Sequence, residues 1–316
     1  MSTSLNQVER IEILTLQDNY IDIAAQDGNE IVHRVLPLKD GQLKNTVLAE
    51  HGFSAFVTVW RGDQSQSLLF DFGLSEFGAA FNADVLQADL KSVTAVALSH
   101  GHADHTGGMQ QLAQRIQPQG IAMTVHPAAF RDSRHLKIGP DFNIEFPPYT
   151  QQMVADAGFE LNETAAPSPM LDGNVLFLGE IPRKTDFENG MPNAYYEKDG
   201  KEVFDAIDDD TAIVMHLNGK GLVVLSGCAH SGIVNTVMQA RAVTGIEKIH
   251  AIMGGFHLTG AHFGPFIEPT AAALKAFDPD YIIPTHCTGR KAINRIEAVM
   301  EDKFLLNMAG TKMTFA

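Results

Sequence analysis

Cysteine is nearly absent: the 316 residues contain two, Cys228 and Cys287. Two thiols cannot build a disulfide framework, which excludes the small cross-linked secreted scaffolds and fits a reducing compartment. Basic side chains are also scarce, 23 Lys and Arg against 38 Asp and Glu, for a net charge of −15. A surface of that sign repels phosphate backbones and anionic membranes on average, so neither nucleic acid nor a bilayer is an expected partner. No stretch approaches the ~18 consecutive apolar residues of a membrane helix. The opening MSTSLNQVER has no apolar signal-peptide core, and the expectation is a cytoplasmic chain. Glycine and proline are scattered, no repeat or low-complexity linker is present, and 45% of residues are hydrophobic. Collagen-like and disordered classes are thereby excluded.

What is present is an alternation of strand and helix signals. Apolar segments at 11–16, 54–60 and 67–73 read as strands, the last two joined across the polar turn RGDQSQ. From Val93 short apolar strands are followed by helical segments, first after His105 and again over PAAFRDS. Residues 134–170 carry Pro140, Pro147, Pro148, Pro167 and Pro169 and are expected to form an irregular loop or cap. Strands resume at 174–179, 211–217 and 222–227, with Asn218 and Gly219 turning between the last two. A helix from Gly232, the strand KIHAIMG, a helix over PTAAALKAF, the strand YIIPT, a helix from Gly289 and a closing strand pair in FLLNMAGTKMTF complete the chain. Each half opens with sheet and ends in βα units. That order predicts an α/β fold of two mixed sheets packed face to face with helices outside, one four-layer αββα domain spanning 1–316.

Chemistry concentrates in SHGHADHTGG, Ser99 to Gly108, directly after an apolar strand. His100, His102, Asp104 and His105 fall within one turn of chain, and a loop at a strand end can aim them at one point. Neutral imidazole and carboxylate suit zinc first, with manganese and iron open. One loop does not complete a metal site. Three further turns after apolar strands carry candidates: Cys228 and His230 in GCAHSG, His257 in GGFHL, and His286 and Cys287 in PTHCTG. Strand C-termini of this kind converge on one edge of an α/β sheet. His33, His126, His135, His216, His250 and His262 read as ordinary histidines, His126 beside Pro127 being the nearest to an exception.

The run His100-Gly101-His102-Ala103-Asp104-His105 resembles the HxHxDH signature of the metallo-β-lactamase superfamily. The resemblance implies two divalent cations, with His100 and His102 serving one and Asp104 and His105 the other. His286 matches the late histidine that completes the second set. Cys228 stands where many relatives carry a bridging Asp; the expectation is that His230 reaches the cations, with Cys228 behind it. By the same resemblance Asp71, in LLFDFG, orients the metal loop, Asp104 is catalytic, and His257 is an acid/base residue or substrate contact.

The ordered set EHGFS, LFDFG, SHGHADHTGG, GEIPRKTDFE, GCAHSGIVN, GGFHL and PTHCTG is similar to the 7,8-dihydropterin-6-methyl-4-(β-D-ribofuranosyl)aminobenzene 5′-phosphate synthase family. That activity joins an activated hydroxymethyl-dihydropterin to a ribofuranosylaminobenzene phosphate with loss of pyrophosphate. The resemblance implies a metal-dependent hydrolase or pterin-type phosphoester transferase acting on a small anionic or phosphorylated molecule. Arg183 and Lys184, with Arg290 and Lys291, are the basic contacts expected for it. A ligand-binding or regulatory protein that keeps the metal centre is the competing reading; a homo-oligomer is open, and a nuclease is disfavoured by the absence of a basic stripe.

Overall fold

The central strands alternate with period two and feed two different cores. In Ala212–Leu217, Ile213, Met215 and Leu217 point one way, and Ala212 and Val214 the other. In Gly221–Ser226, Val223 and Leu225 oppose Leu222 and Val224 in the same manner. Both faces are covered, which is why these segments read as unbroken apolar runs. The computed structural model describes residues 3–35, 38–39, 41–43 and 46–316.

Two large mixed sheets carry the fold. One runs Ser168–Met170, Val175–Phe177, Ala212–Leu217, Gly221–Ser226, Ile249–Gly255, Tyr281–Thr285, with Gln7–Val8 paired to Ala212–Leu217. The other runs Glu160–Glu163, Ala122–Val125, Val93–Ala97, Gln64–Phe70, Ser54–Arg61, Arg10–Gln17, Lys312–Phe315, Val32–His33. Between them lies a shared core of Ile11, Val57 and Phe70 from one sheet and Phe177, Leu225 and Met253 from the other. Deleting one such ring, as in Phe70→Ala, costs about 3–5 kcal/mol.

Helices Ile233–Thr244, Ile267–Ala276 and Arg290–Val299 cover the first sheet's outer face through Val237, Leu274 and Ile296. Helices Gly78–Leu86, Met109–Ile116 and Gln151–Asp156 cover the second through Ala83, Leu112 and Val154. The result is helix, sheet, sheet, helix, as the sequence pattern predicts. Among the described residues no helix is long and apolar enough to cross a membrane.

Two local expectations are corrected. The 134–170 stretch is not irregular. His135–Gly139 and Phe142–Glu145 form a hairpin that pairs with a second one, Ala194–Lys198 and Lys201–Phe204, in a separate four-stranded sheet. Gln151–Asp156 is helical, and Glu160–Glu163 joins the large sheet beside Ala122–Val125. The prolines mislead because they occupy places that need no ladder donor: Pro140 a hairpin turn, Pro147 and Pro148 a connection, Pro169 an edge strand. In the 304–315 segment, Lys312–Phe315 is the one strand among the described residues. The chain before it turns at Gly310, where φ is 83°.

Candidate metal centre

Four strands end at one edge of the sandwich. Val93–Ala97 leads into the loop of His100 to His105, Gly221–Ser226 into Cys228 and His230, Ile249–Gly255 into His257, and Tyr281–Thr285 into His286 and Cys287. Their donor atoms form overlapping groups, the members of each within 4.8 Å of one another: Asp104, His105, Cys228 and His286; His100, Cys228 and His230; His100, His102 and Asp104; and Cys228, His257 and Cys287. Every metal ligand expected from the sequence is therefore at the centre. Cys228 and His230 stand side by side in one group, with His100. Cys228 also belongs to the Asp104–His105–His286 group, so its sulfur stands between two donor neighbourhoods. The reason is the short reach from the strand end: residue 228 follows Ser226 by two, while His230 arrives only after Ala229 turns the chain at φ 50°.

The loop from His100 to Gly108 is shaped by close backbone approach. A Cβ at Gly101 would lie 2.1 Å from the Ala129 carbonyl oxygen, and one at Gly107 only 1.7 Å from that of Leu74. Any larger residue there pushes the loop off its seat. The Gly101 N–H donates to Asp209 Oδ2 at 2.8 Å, and Asp209 is itself paired with the buried Arg134. In the sequence Asp209 is one of three consecutive acidic residues, Asp208 to Asp210, with nothing local to show that it is buried.

Asp71 performs the orienting role expected of it. Its Oδ1 accepts from the Ser99 N–H at 2.7 Å; its Oδ2 accepts from the Ser99 hydroxyl at 2.7 Å and lies 2.6 Å from His105 Nδ1. With Nδ1 engaged, His105 turns Nε2 toward Cys228 Sγ, 3.1 Å away. His286 is held likewise, its N–H donating to Asp18 Oδ1 and its Nδ1 2.9 Å from Asn19 Oδ1, which leaves Nε2 3.2 Å from Asp104 Oδ2. Fixing one imidazole nitrogen so that the other faces the site is how proteins prepare histidine ligands. Nothing in the sequence marks Asp18 and Asn19 beyond a polar pair after a strand.

The donor set fits cations on physical grounds. His100 Nε2 and both ring nitrogens of His230 are buried with no hydrogen-bond partner among the described residues. Leaving such groups unsatisfied costs about 1–3 kcal/mol each, an expense that a bound cation removes. Imidazole, carboxylate and thiolate together suit zinc. Burial and neighbouring imidazoles push His100 and His230 well below the ordinary range, and burial brings His102 to about 4, so all three are neutral near pH 7. Against the cost of burial, His105 and His286 hold the Asp104 carboxyl well below its usual range. Burial works against charge on His105 too, but Asp104 and Asp71 raise it to about 9. Burial pushes the Cys228 thiol up.

The centre opens into a cavity of about 380 Å³ whose other walls include Leu74, Leu136, Phe146, Pro147 and Met191. Phe146 stacks on His102 at 4.7 Å, so the chain just after the small hairpin supplies part of the wall. His257 lines the same space, with φ 43° and an Nδ1 that has no hydrogen-bond partner among the described residues. His51 was overlooked as a site residue although it stands in EHGFS; its Nε2 is 3.4 Å from Asp104 Oδ2. His126, by contrast, takes the Ala128 N–H and closes a short helical turn.

The expected basic contacts divide between two places. Arg183 donates to the Ala206 carbonyl at 2.5 Å and reaches that of His230, so it braces backbone and does not line the cavity. Lys184 is exposed, and neither residue belongs to the cavity wall because Asn235 holds their segment by the N–H groups of Lys184 and Thr185. Arg290 and Lys291 line an adjoining cavity of about 330 Å³ that shares Thr259 with the first.

A family model described as the metallo-β-lactamase superfamily matches residues 51–236, which include the histidine loop, Cys228 and His230. The chain belongs to that superfamily. It is 28% identical, over the full length of both proteins, to the 7,8-dihydropterin-6-methyl-4-(β-D-ribofuranosyl)-aminobenzene-5′-phosphate synthase of Methanocaldococcus jannaschii. An uncharacterized protein of the same organism is 29% identical across 82% of this chain and 92% of its own. Among solved structures, Tm1679, a metal-dependent hydrolase of the β-lactamase superfamily, is similar with a TM-score of 0.72 and 23% identity, over 96% of this chain and 98% of the other. YhfI from Bacillus subtilis, a metallo-β-lactamase fold protein, gives 0.52 and 11% over 97% and 100%. These likenesses establish the αββα fold.

Proposed function

We propose that the protein is an enzyme using a pair of divalent cations, zinc first, to transfer or cleave a phosphate-bearing group on a small ring compound. The observation that carries this reading is the convergence of His100, His102, Asp104, His105, Cys228, His230 and His286, with orphaned buried imidazole nitrogens, on an open cavity. Bound there, the cations would supply Lewis acidity toward a phosphoryl or carbonyl oxygen and lower the pKa of water.

The chain's own residues do the remaining work. Asp71 and Asn19 fix the imidazoles of His105 and His286; Leu74, Leu136, Phe146 and Met191 form an apolar wall for a ring. His257 faces the same space with a free ring nitrogen and is the residue to hold or move a proton. Arg290 and Lys291 stand in the adjoining cavity, suited to an anionic end of the substrate. The full-length relative is named a synthase, which favours displacement of an anionic leaving group by an organic acceptor over hydrolysis.

The test is a pair of assays on zinc-loaded protein of measured metal content. One supplies the pyrophosphate ester of hydroxymethyl-dihydropterin with and without ribofuranosylaminobenzene 5′-phosphate and follows pyrophosphate. The other supplies chromogenic phosphodiesters, lactones and thioesters. Acceptor-dependent pyrophosphate release supports transfer, and chromophore release supports hydrolysis; either must vanish with a chelator and in His102→Ala. Two bound cations with no turnover in either assay would instead make this a metal-containing binding protein.

A further inference from the structure

Cys228 and Cys287 are the chain's only thiols, and both are free. They follow Gly221–Ser226 and Tyr281–Thr285, strands that flank Ile249–Gly255 on opposite sides. Strands two places apart in a sheet are separated by roughly 9–10 Å, so their ends do not normally meet. Gly255 at the end of the middle strand removes the obstacle. A Cβ on Gly255 would sit 2.6 Å from Cys287 Sγ and 3.3 Å from the Cys228 Cα. Over this bare backbone Cys287 Sγ comes within 3.6 Å of the Cys228 carbonyl oxygen, and the two sulfurs lie within 4.8 Å of each other.

Both cysteines are nearly buried, yet both line the metal cavity, so a solute as small as a peroxide can reach them. Their roles at the centre differ. Cys228 shares groups with the histidines and Asp104, whereas among the described residues Cys287 joins only Cys228 and His257. Bonding one sulfur to the other would take from the centre a ligand that Cys287 does not replace.

We propose that Cys228 and Cys287 are a peroxide-sensitive pair whose reversible disulfide withdraws the shared sulfur and releases the cations. The chemistry balances with hydrogen peroxide as oxidant. One sulfur attacks a peroxide oxygen and becomes a sulfenic acid as the first water leaves. The second sulfur displaces the sulfenic oxygen as another water, so two thiols and one peroxide give one disulfide and two waters. The disulfide is the oxidised product, and a dithiol reductant restores both thiols.

The release of cations rests on the function proposed above; the disulfide does not. Zinc-loaded protein, its metal content measured first, is treated with hydrogen peroxide and followed by intact mass, thiol titration and a chromophoric zinc indicator. The expected result is loss of two hydrogens, titratable thiols falling from two to none, zinc release in step, and recovery of both with dithiothreitol. Cys287→Ser, loaded in the same way, should release zinc at least about tenfold more slowly, because Cys287, which stands outside the Asp104 and His100 groups, is the sulfur free to attack peroxide and is then missing. Added oxygen mass in the wild-type protein without loss of two hydrogens overturns the proposal. So does release from Cys287→Ser at the wild-type rate. A wild-type protein that takes up no cation before oxidation defeats the proposed function, while its mass and thiol count still decide the disulfide.

Discussion

Replacing Asp71 by asparagine turns one oxygen of a buried carboxylate into an amide NH₂ and changes almost nothing in volume. The carbonyl keeps the bond from the Ser99 N–H, but the amide presents a donor to His105 Nδ1, which lies 2.6 Å from that position. His105 must then move its proton to Nε2, where it faces Cys228 at 3.1 Å and covers the lone pair that a cation needs, or it must rotate. A hydrogen bond to a charged partner is worth about 1.5–3 kcal/mol, and loss of such an outer partner weakens cation binding by about 10- to 100-fold. Asp71 also helps keep His105 protonated in the cation-free protein, which opposes loading. That offset places the expected loss at pH 7 near the lower end, about tenfold. The assay is zinc competition against a chromophoric chelator, with thermal unfolding of the cation-free variant as the control. Zinc affinity within about twofold of wild type would refute the orienting role, as would an affinity loss matched by an equal loss of cation-free stability.

Other outcomes follow from the same geometry. Asp104→Ala should abolish most turnover and lower metal content while the cation-free fold survives, since this carboxylate sits at the cavity and not in the apolar core; circular dichroism beside metal analysis checks it. Cation loading near pH 7 should expel about two protons, one from His105, raised to about 9, and one from the Cys228 thiol. Both are protonated free and deprotonated when ligating, so affinity must rise with pH from 7 towards 9; calorimetry in buffers of different ionisation enthalpy counts the protons. Glu188→Ala should destabilise the protein by about 1–2 kcal/mol in chemical denaturation, because the carboxylate accepts from the otherwise free Val234 and Asn235 N–H groups that open a helix.

The four-layer plan was legible because strand periodicity and βα rhythm act locally. The histidine loop was legible because ligands one turn apart need no tertiary knowledge. The small sheet was not read, although its signal was present: Asp199 and Gly200, with φ of 53° and 70°, turn the hairpin Ala194–Lys198 to Lys201–Phe204 as an Asp-Gly pair does. The five prolines of 134–170 carry the opposite local signal over the partner hairpin and its surroundings. Arg183 looked like a substrate contact because sequence shows a charge but not the carbonyl that takes it. Asp18, Asn19 and Asp209 act from distant segments, and a pairing such as Asp18 with His286, 268 positions away, leaves no local trace. The approach of Cys287 to Cys228 depends on a glycine in a third strand, so only the assembled sheet reveals it.

Under the proposed pair of cations, one sulfur standing between two clusters of nitrogen and oxygen donors would also link the filling of the two seats. The first ion would have to drive the proton off a buried thiol, and the second would meet a thiolate already formed. Partial occupancy is then the disfavoured composition, and a zinc titration should pass from empty to fully charged protein in a single steep rise, with little of the one-ion species in a native mass spectrum.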